Sequence, residues 1–398
     1  MISRRVGAAV AGLGAAAIVG IGVALALAAP AYAHGGDAPD GTNYRTRVSV
    51  VSPALPGVTV HAIEAGARLE LANRGGKTVE VLGYDGEPYL EIRPDGVYKN
   101  IRSPATYLNA TLTGGVAVPA EADPTAPPSW RRVAAEPVAR WHDHRAHWMT
   151  AAKPPQVTAD PGRVHRIRDW TVPLRVELST AEIRGTLDWI PPPLPALWWA
   201  GAVVCAAALA TLGLVAPGSR AAPMAARLLG ALAVAGGLGA IAYAVAREID
   251  AGKTGVGGVL LGLLASQVWP VLTALGAVAA GGYALLGRPA ADFALALAGA
   301  CLALFAGITN ASVLASSIAP VPWPATAART LVMSVIAIGA GLVVANALRM
   351  RAVARAAAGT MPAGDPASPA PPEVSAPGQP PEVSASGQPP DAQRPAAS

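Results

Sequence analysis

Histidines are the residues best equipped for chemistry, and three of the six fall in one run, Arg140-Trp141-His142-Asp143-His144-Arg145-Ala146-His147-Trp148-Met149. On a strand, His142 and His144 point to one face, roughly 7 Å apart along it. Two imidazoles at that spacing can share a metal ion; His147 joins after a turn, and the Met149 thioether adds a soft donor. Outside the cytoplasm such a set favours copper(II) or zinc, with copper highest on the affinity order. His34 is a further candidate. It follows Ala31-Tyr32-Ala33, a small-x-small pattern that signal peptidase accepts, and cleavage there leaves a free amine beside an imidazole. The other reading is structural: Trp141 and Trp148 bracket the run, Asp143 and Arg145 form an ion pair, and the rings are packed and hydrogen-bonded without metal.

The spacing of His142, His144 and His147 is shared with the His-x-His-x-Asp-His motif of metallo-β-lactamases. Ala146 stands where that motif has its aspartate, and no alternating β and α pattern surrounds it, so a zinc hydrolase is not expected. A second conspicuous segment is Gly83-Tyr84-Asp85-Gly86-Glu87-Pro88-Tyr89-Leu90, followed by NIRSPATYLN over 100–109. Tyr84, Tyr89, Tyr98 and Tyr107 with Asp85 and Glu87 either rim a recognition surface or fill strand edges around an Asp-Gly turn. No Gly-x-Ser-x-Gly elbow, P-loop or dinucleotide fingerprint occurs at a strand–helix junction. With no nucleophile, base and orienting group to place together, an enzyme is not expected.

These residues need elements to position them. Residues 1–33 read as a signal peptide, with Arg4 and Arg5 before an apolar run; its length leaves an uncleaved anchor as the alternative. From Tyr44 onward, period-two runs at 47–51, 58–60, 68–71, 78–82 and 89–92 alternate with turn signals, and strand-like runs resume at 138–148, 164–176 and 183–189. The pattern predicts an all-β sandwich, Ig-like or cupredoxin-like, over 34–193, closed by the semi-stiff Pro191-Pro192-Pro193. An α-helical transmembrane bundle is expected over 194–349, with five spans: 196–216, 228–246, 257–286, 293–308 with its flanks, and 331–348. The third contains Trp269-Pro270 and is expected to be one tilted or kinked helix. Residues 350–398 are Pro/Ala/Ser-rich, carry a tandem PPEVSAPGQ/PPEVSASGQ repeat, and read as a disordered cytoplasmic tail.

Charge supports this division. Only 14% of residues are charged, and the net +5 does not mark a nucleic-acid binder. Over 34–193, eighteen Lys/Arg balance eighteen Asp/Glu, leaving no basic patch for phosphates. Arg220, Arg227, Arg288, Arg349, Arg351 and Arg355 fall at helix ends expected to face the cytoplasm, which places the β region outside and the C-terminus inside a bacterial cytoplasmic membrane. No Asp, Glu, His or Lys lies near the middle of a span, so a pump or ion-coupled carrier is not expected; Gln267 and Asn310 can line at most a narrow polar path. The two cysteines, Cys205 and Cys301, lie in the spans, so the exported region has neither a disulfide framework nor the thiolate of a blue-copper site.

The combination of GYDGEPYL, SPATYLN, WHDHRAHWM and LDWIPPP resembles a family of actinobacterial membrane proteins with an exported β-domain, over about 44–193. The resemblance implies the topology above and assigns no activity. Two functions are therefore expected to compete: a membrane-anchored envelope protein whose exported domain binds a metal ion, copper ahead of zinc, or a metal-free recognition or scaffold module for another envelope protein.

Overall fold

In the computed structural model, residues 39–359 are described. The expected signal peptide, His34 and the repeats of the tail lie outside them.

Alternation governs the first half. In β3 (Arg68–Asn73), Leu69, Leu71 and Asn73 point inward while Arg68 and Glu70 do not. In β4 (Val79–Leu82) the inward pair is Val79 and Val81. Each fully buried leucine or valine contributes ~1.5–3 kcal/mol, so the pairing register is fixed by which face meets the core. The remaining strands are β1 (Tyr44–Ser52), β2 (Val58–Ile63), β5 (Pro88–Arg93), β6 (Gly96–Asn100), β7 (Trp130–Ala134), β8 (Val138–Trp141), β9 (His165–Val176) and β10 (Ser179–Trp189). They form a seven-stranded sheet in the order β1-β10-β9-β4-β5-β6-β7 and a three-stranded sheet β2-β3-β8, paired antiparallel throughout. One core draws on both sheets, with Leu69, Leu71 and Trp141 from the smaller and Val81, Ile92, Leu174, Ile183 and Leu187 from the larger.

The strand expected over 138–148 is shorter than its pattern. It ends at Trp141, and a single 3-10 turn covers His144–Ala146. The cause is Asp143, whose side chain accepts a hydrogen bond from the Arg145 backbone N–H (3.1 Å) and so stops the extended run. His142 and His144 therefore do not share a strand face.

The second half is helical: α1 (Pro195–Ala210), α2 (Ala222–Asp250), α3 (Gly255–Ser266), α4 (Val268–Leu285), α5 (Ala291–Cys301) and α6 (Ala325–Gly359). Five helical segments are long and apolar enough to cross a membrane: Pro195–Leu214, Ala222–Asp250, Val268–Leu285, Ala291–Ala315 and Ala325–Ala356. These point to a membrane location.

The single kinked rod expected over 257–286 is two helices. The chain leaves helical geometry at Gln267 (φ −119°, ψ 21°), because the Pro270 ring would clash with the carbonyl four residues earlier, at Ser266. The 12-residue α3 is ~18 Å long against a ~30 Å hydrocarbon core, too short to span. Its end is instead fixed to the last turn of α2, where Ser266 Oγ donates to Glu248 Oε1 (2.6 Å). At its other end the bundle differs again from the pattern. Helix α6 runs past Arg349 to Gly359, since the Ala- and Arg-rich sequence there is strongly helix-forming.

Small residues bring the helices close, as packing in lipid demands. A Cβ on Gly237 would stand 2.6 Å from the Ala274 carbonyl oxygen, and one on Gly339 2.7 Å from that of Gly299. The span that begins with α5 changes geometry along its length, passing through a π-helical segment at Leu302–Gly307 into 3-10 turns at Ile308–Ala315.

The β region is joined to the helices by main-chain pairing as well as side chains. Thr42 and Ile318 form an antiparallel bridge, with N–H to O distances of 3.0 and 2.9 Å. Ser317 binds both chain crossings: its N–H donates to Asn43 Oδ1 (2.8 Å) and its hydroxyl reaches the carbonyls of Ile190 (3.1 Å) and Pro191 (2.5 Å).

Candidate functional site

Three sequence segments singled out above meet in one buried polar network. The first is the Tyr84 turn. Asp85-Gly86 reverses the chain, with Gly86 at φ 80°. Gly83 has no room for a Cβ, which would lie 1.9 Å from Glu87 Oε1. The buried Glu87 carboxylate accepts from Ser103 Oγ (2.6 Å) and from the Asp85 N–H (3.0 Å), so the second segment, NIRSPATYLN, is tied to the first. Tyr84 donates its hydroxyl proton to Asn109 Oδ1 and accepts from the His144 N–H (3.1 Å), which attaches the third. Burial and, behind it, the Asp143 charge push the Tyr84 phenol up to about 12. Tyr89 is fully buried in the core, whereas Tyr98 and Tyr107 are half-buried. The four tyrosines therefore do not form one surface.

In the third segment Asp143 is the hub. It is completely buried and accepts from Trp141 Nε1 (3.0 Å), Arg145 Nε (2.8 Å) and Arg145 Nη2 (2.8 Å). Arg145 also donates to the carbonyls of Leu82 (3.1 Å) and Gly83 (3.3 Å). Burial alone would lower the guanidinium pKa; hydrogen bonds and charge from Asp143 outweigh it, and the pKa is raised.

The histidines divide by what their ring nitrogens meet. His142 is buried, with Nδ1 2.7 Å from the Ala67 carbonyl and Nε2 accepting from Arg68 Nε (3.2 Å). Those contacts place the proton on Nδ1 and occupy both nitrogens. His144 has Nε2 3.0 Å from the Thr111 carbonyl. His165 has Nε2 2.6 Å from the Asp160 carbonyl, and His61 is exposed on β2.

His147 differs. It is 8% exposed, and its Nε2 is buried without a hydrogen-bond partner. Its pKa falls from 6.5 to about 4, chiefly through burial, with His142 adding to the drop and Asp143 opposing it. The ring is thus neutral at any ordinary pH. It lines a pocket of about 500 Å³ together with Asp40, Tyr44, Glu64 and Met149. Met149 is half-buried, and a Cβ on Gly114 would lie 3.9 Å from its methyl and 3.2 Å from His144 Cε1.

Of the five residues expected to hold a metal, the structure brings His147 and Met149 to one pocket and directs His142 and His144 to backbone carbonyls; His34 lies outside the described residues. Among the described residues, no three His, Cys, Asp or Glu side chains are grouped so as to hold a metal ion. Two pocket walls, Pro39–Thr42 and Glu64–Ala67, carried no local sequence signal. Each is tied to distant residues, and the second turns through three successive left-handed residues, Glu64 (φ 55°), Ala65 (φ 56°) and Gly66 (φ 92°). No protein-family model, curated protein or solved structure matches the chain.

Proposed function

We propose that the chain is a membrane-anchored envelope protein whose exported β-sandwich binds a copper ion in the pocket beside His147. One observation carries the reading: the buried His147 ring has an unpartnered nitrogen, and His147 and a thioether, Met149, line one pocket. Buried polar groups are ordinarily satisfied by protein, ordered water or an ion, and a copper ion would satisfy this one. Imidazole with thioether suits copper better than magnesium or calcium. His34 is the third proposed ligand: it stands five residues before Pro39, a pocket residue, and such a stretch reaches at most ~17 Å. In this reading His142 and His144 support the site without binding the ion. The basic residues at the helix ends remote from the β region favour those ends as cytoplasmic, and the resemblance to actinobacterial membrane proteins is in keeping with that location.

Titration of the full-length protein in detergent tests the proposal. The wild type should bind copper(II), and His147→Ala should weaken it by about tenfold or more. His142→Ala should instead lower thermal stability, since it removes the acceptor of Arg68 Nε and the donor to the Ala67 carbonyl. Equal copper affinity in wild type and His147→Ala would end the reading.

A second reading, a recognition module for another envelope protein, is favoured by a patch on the edge of the larger sheet. Arg93 lies 3.9 Å from the Tyr98 ring centre and 5.9 Å from that of Trp130, beside the terminal strand β7. Tyr, Trp and Arg are the residues that dominate protein interfaces. A partner that co-purifies in the presence of chelator and is lost on Tyr98→Ala with Trp130→Ala would support it; co-purification unchanged by that pair of substitutions would count against the patch.

A further inference from the structure

The pocket beside His147 is lined by residues within 39–151, but these do not hold its shape alone. Both of its unusual walls hang from the last turn of α2. Asp250 Oδ2 accepts from the Ala65 N–H at 2.9 Å, and Arg247 Nη2 donates to the Pro39 carbonyl at 3.0 Å. Arg247 also donates through Nη1 to Asn310 Oδ1 (2.8 Å), in the 3-10 segment that follows the π-helical stretch. Two residues after Asn310, Ser312 Oγ accepts from the Gly41 N–H (3.3 Å) and donates to Asp40 Oδ1 (3.3 Å).

Backbone conformation makes the Asp250 contact consequential. Glu64 and Ala65 both carry a Cβ, yet both lie in the left-handed region, with Gly66 following at φ 92°. Consecutive side-chain-bearing residues rarely adopt that region, and they persist there only when surrounding contacts hold them. The Asp250 carboxylate partners the Ala65 N–H in this part-buried position and reinforces the turn beside the local Ala67 N–H to Glu64 carbonyl bond and the Glu64–Arg68 ion pair. The turn in turn delivers Glu64 and Ala67 to the pocket, and the Ala67 carbonyl orients His142 beside His147.

We infer that Asp250 is a positioning residue for the pocket, and that ligand occupancy and the packing of α2 against the Asn310 segment are coupled through it and Arg247. The nature of the ligand rests on the copper reading above; the coupling does not. Because such coupling is reciprocal, whatever the helices do to the pocket, a ligand in the pocket does to the helices.

The test uses full-length protein in detergent, copper(II) as the probe, and backbone hydrogen exchange as a second readout. Asp250→Asn keeps an oxygen to accept from Ala65, whereas Asp250→Ala removes it. Exchange at 64–67 should quicken in Asp250→Ala and stay near wild type in Asp250→Asn. Copper affinity should follow the same order, falling about tenfold in the alanine variant. Copper added to wild type should slow exchange at 308–318. If Asp250→Ala exchanges like wild type at 64–67, the inference is overturned, whether or not copper binds. Should wild type bind no copper while the exchange pattern holds, the copper reading alone falls. Arg247→Lys, which keeps the charge but replaces the two guanidinium nitrogens that serve Asn310 and Pro39 with one, provides a second variant should Asp250→Ala fail to fold, and it should also quicken exchange at 308–318; unchanged exchange there would count against the coupling.

Discussion

Asp143→Ala is expected to destabilise the β region by ~3–5 kcal/mol, the range for breaking a buried ion pair on one side. Asp143 is completely buried and serves Trp141 Nε1, the Arg145 N–H and two guanidinium nitrogens. Its removal leaves the Arg145 charge facing a site from which water is excluded, and it frees the turn that ends β8. Thermal unfolding of the full-length protein should show the loss as a lowered first transition. The control is a double replacement, Asp143→Leu with Arg145→Met, which removes both charges together. Replacing a whole buried pair is commonly far milder than halving it, so the double variant should be more stable than Asp143→Ala. Equal stability of the two would mean that the pair is not what holds the three segments together.

The second large effect concerns acid stability and comes from His147. Its pKa is lowered from 6.5 to about 4 in the fold, and the neutral form is therefore the one that the fold favours. Above pH 6.5 the ring is neutral in both folded and unfolded chains and adds no pH dependence. Below 6.5 the unfolded chain takes up a proton that the folded chain refuses until about pH 4. Stability must then fall as pH drops through that window, by ~3 kcal/mol in all, and level off below it. Denaturant unfolding at several pH values, with chelator present, should show this slope in wild type. His147→Gln should lack that part of it, because an amide of similar size does not titrate. Parallel slopes would show that the ring is not buried and neutral.

Much of the architecture was legible in the residues because it depends on periodicity. The alternation of Leu69 and Leu71 or of Val79 and Val81 is visible in a single strand, and a helix that must avoid unsatisfied backbone in lipid announces itself by length. What was not legible depends on partners far along the chain. Pro270 was visible, but whether the chain bends or breaks there depends on where α3 ends up, and Glu248 decides that by holding Ser266. In the histidine run, spacing alone treats His142, His144 and His147 as equals. Their difference comes from Ala67, 75 residues before His142, and from Thr111, which lies 33 residues before His144. Within two conspicuous strings, GYDGEPYL and SPATYLN, a buried network constrains Gly83, Glu87 and Ser103.

The stitching of both chain crossings at Ser317, together with the Thr42–Ile318 bridge, changes what kind of object the β region is. A domain on a flexible leash sweeps a hemisphere and meets partners by chance orientation. This one is mounted like a bracket, held at entry and exit, so it keeps one orientation on the helices. An excised fragment of the strands would keep the core shared by its two sheets and lose the ties from Asp250 to Ala65 and from Arg247 to Pro39 that hold two walls of the pocket beside His147.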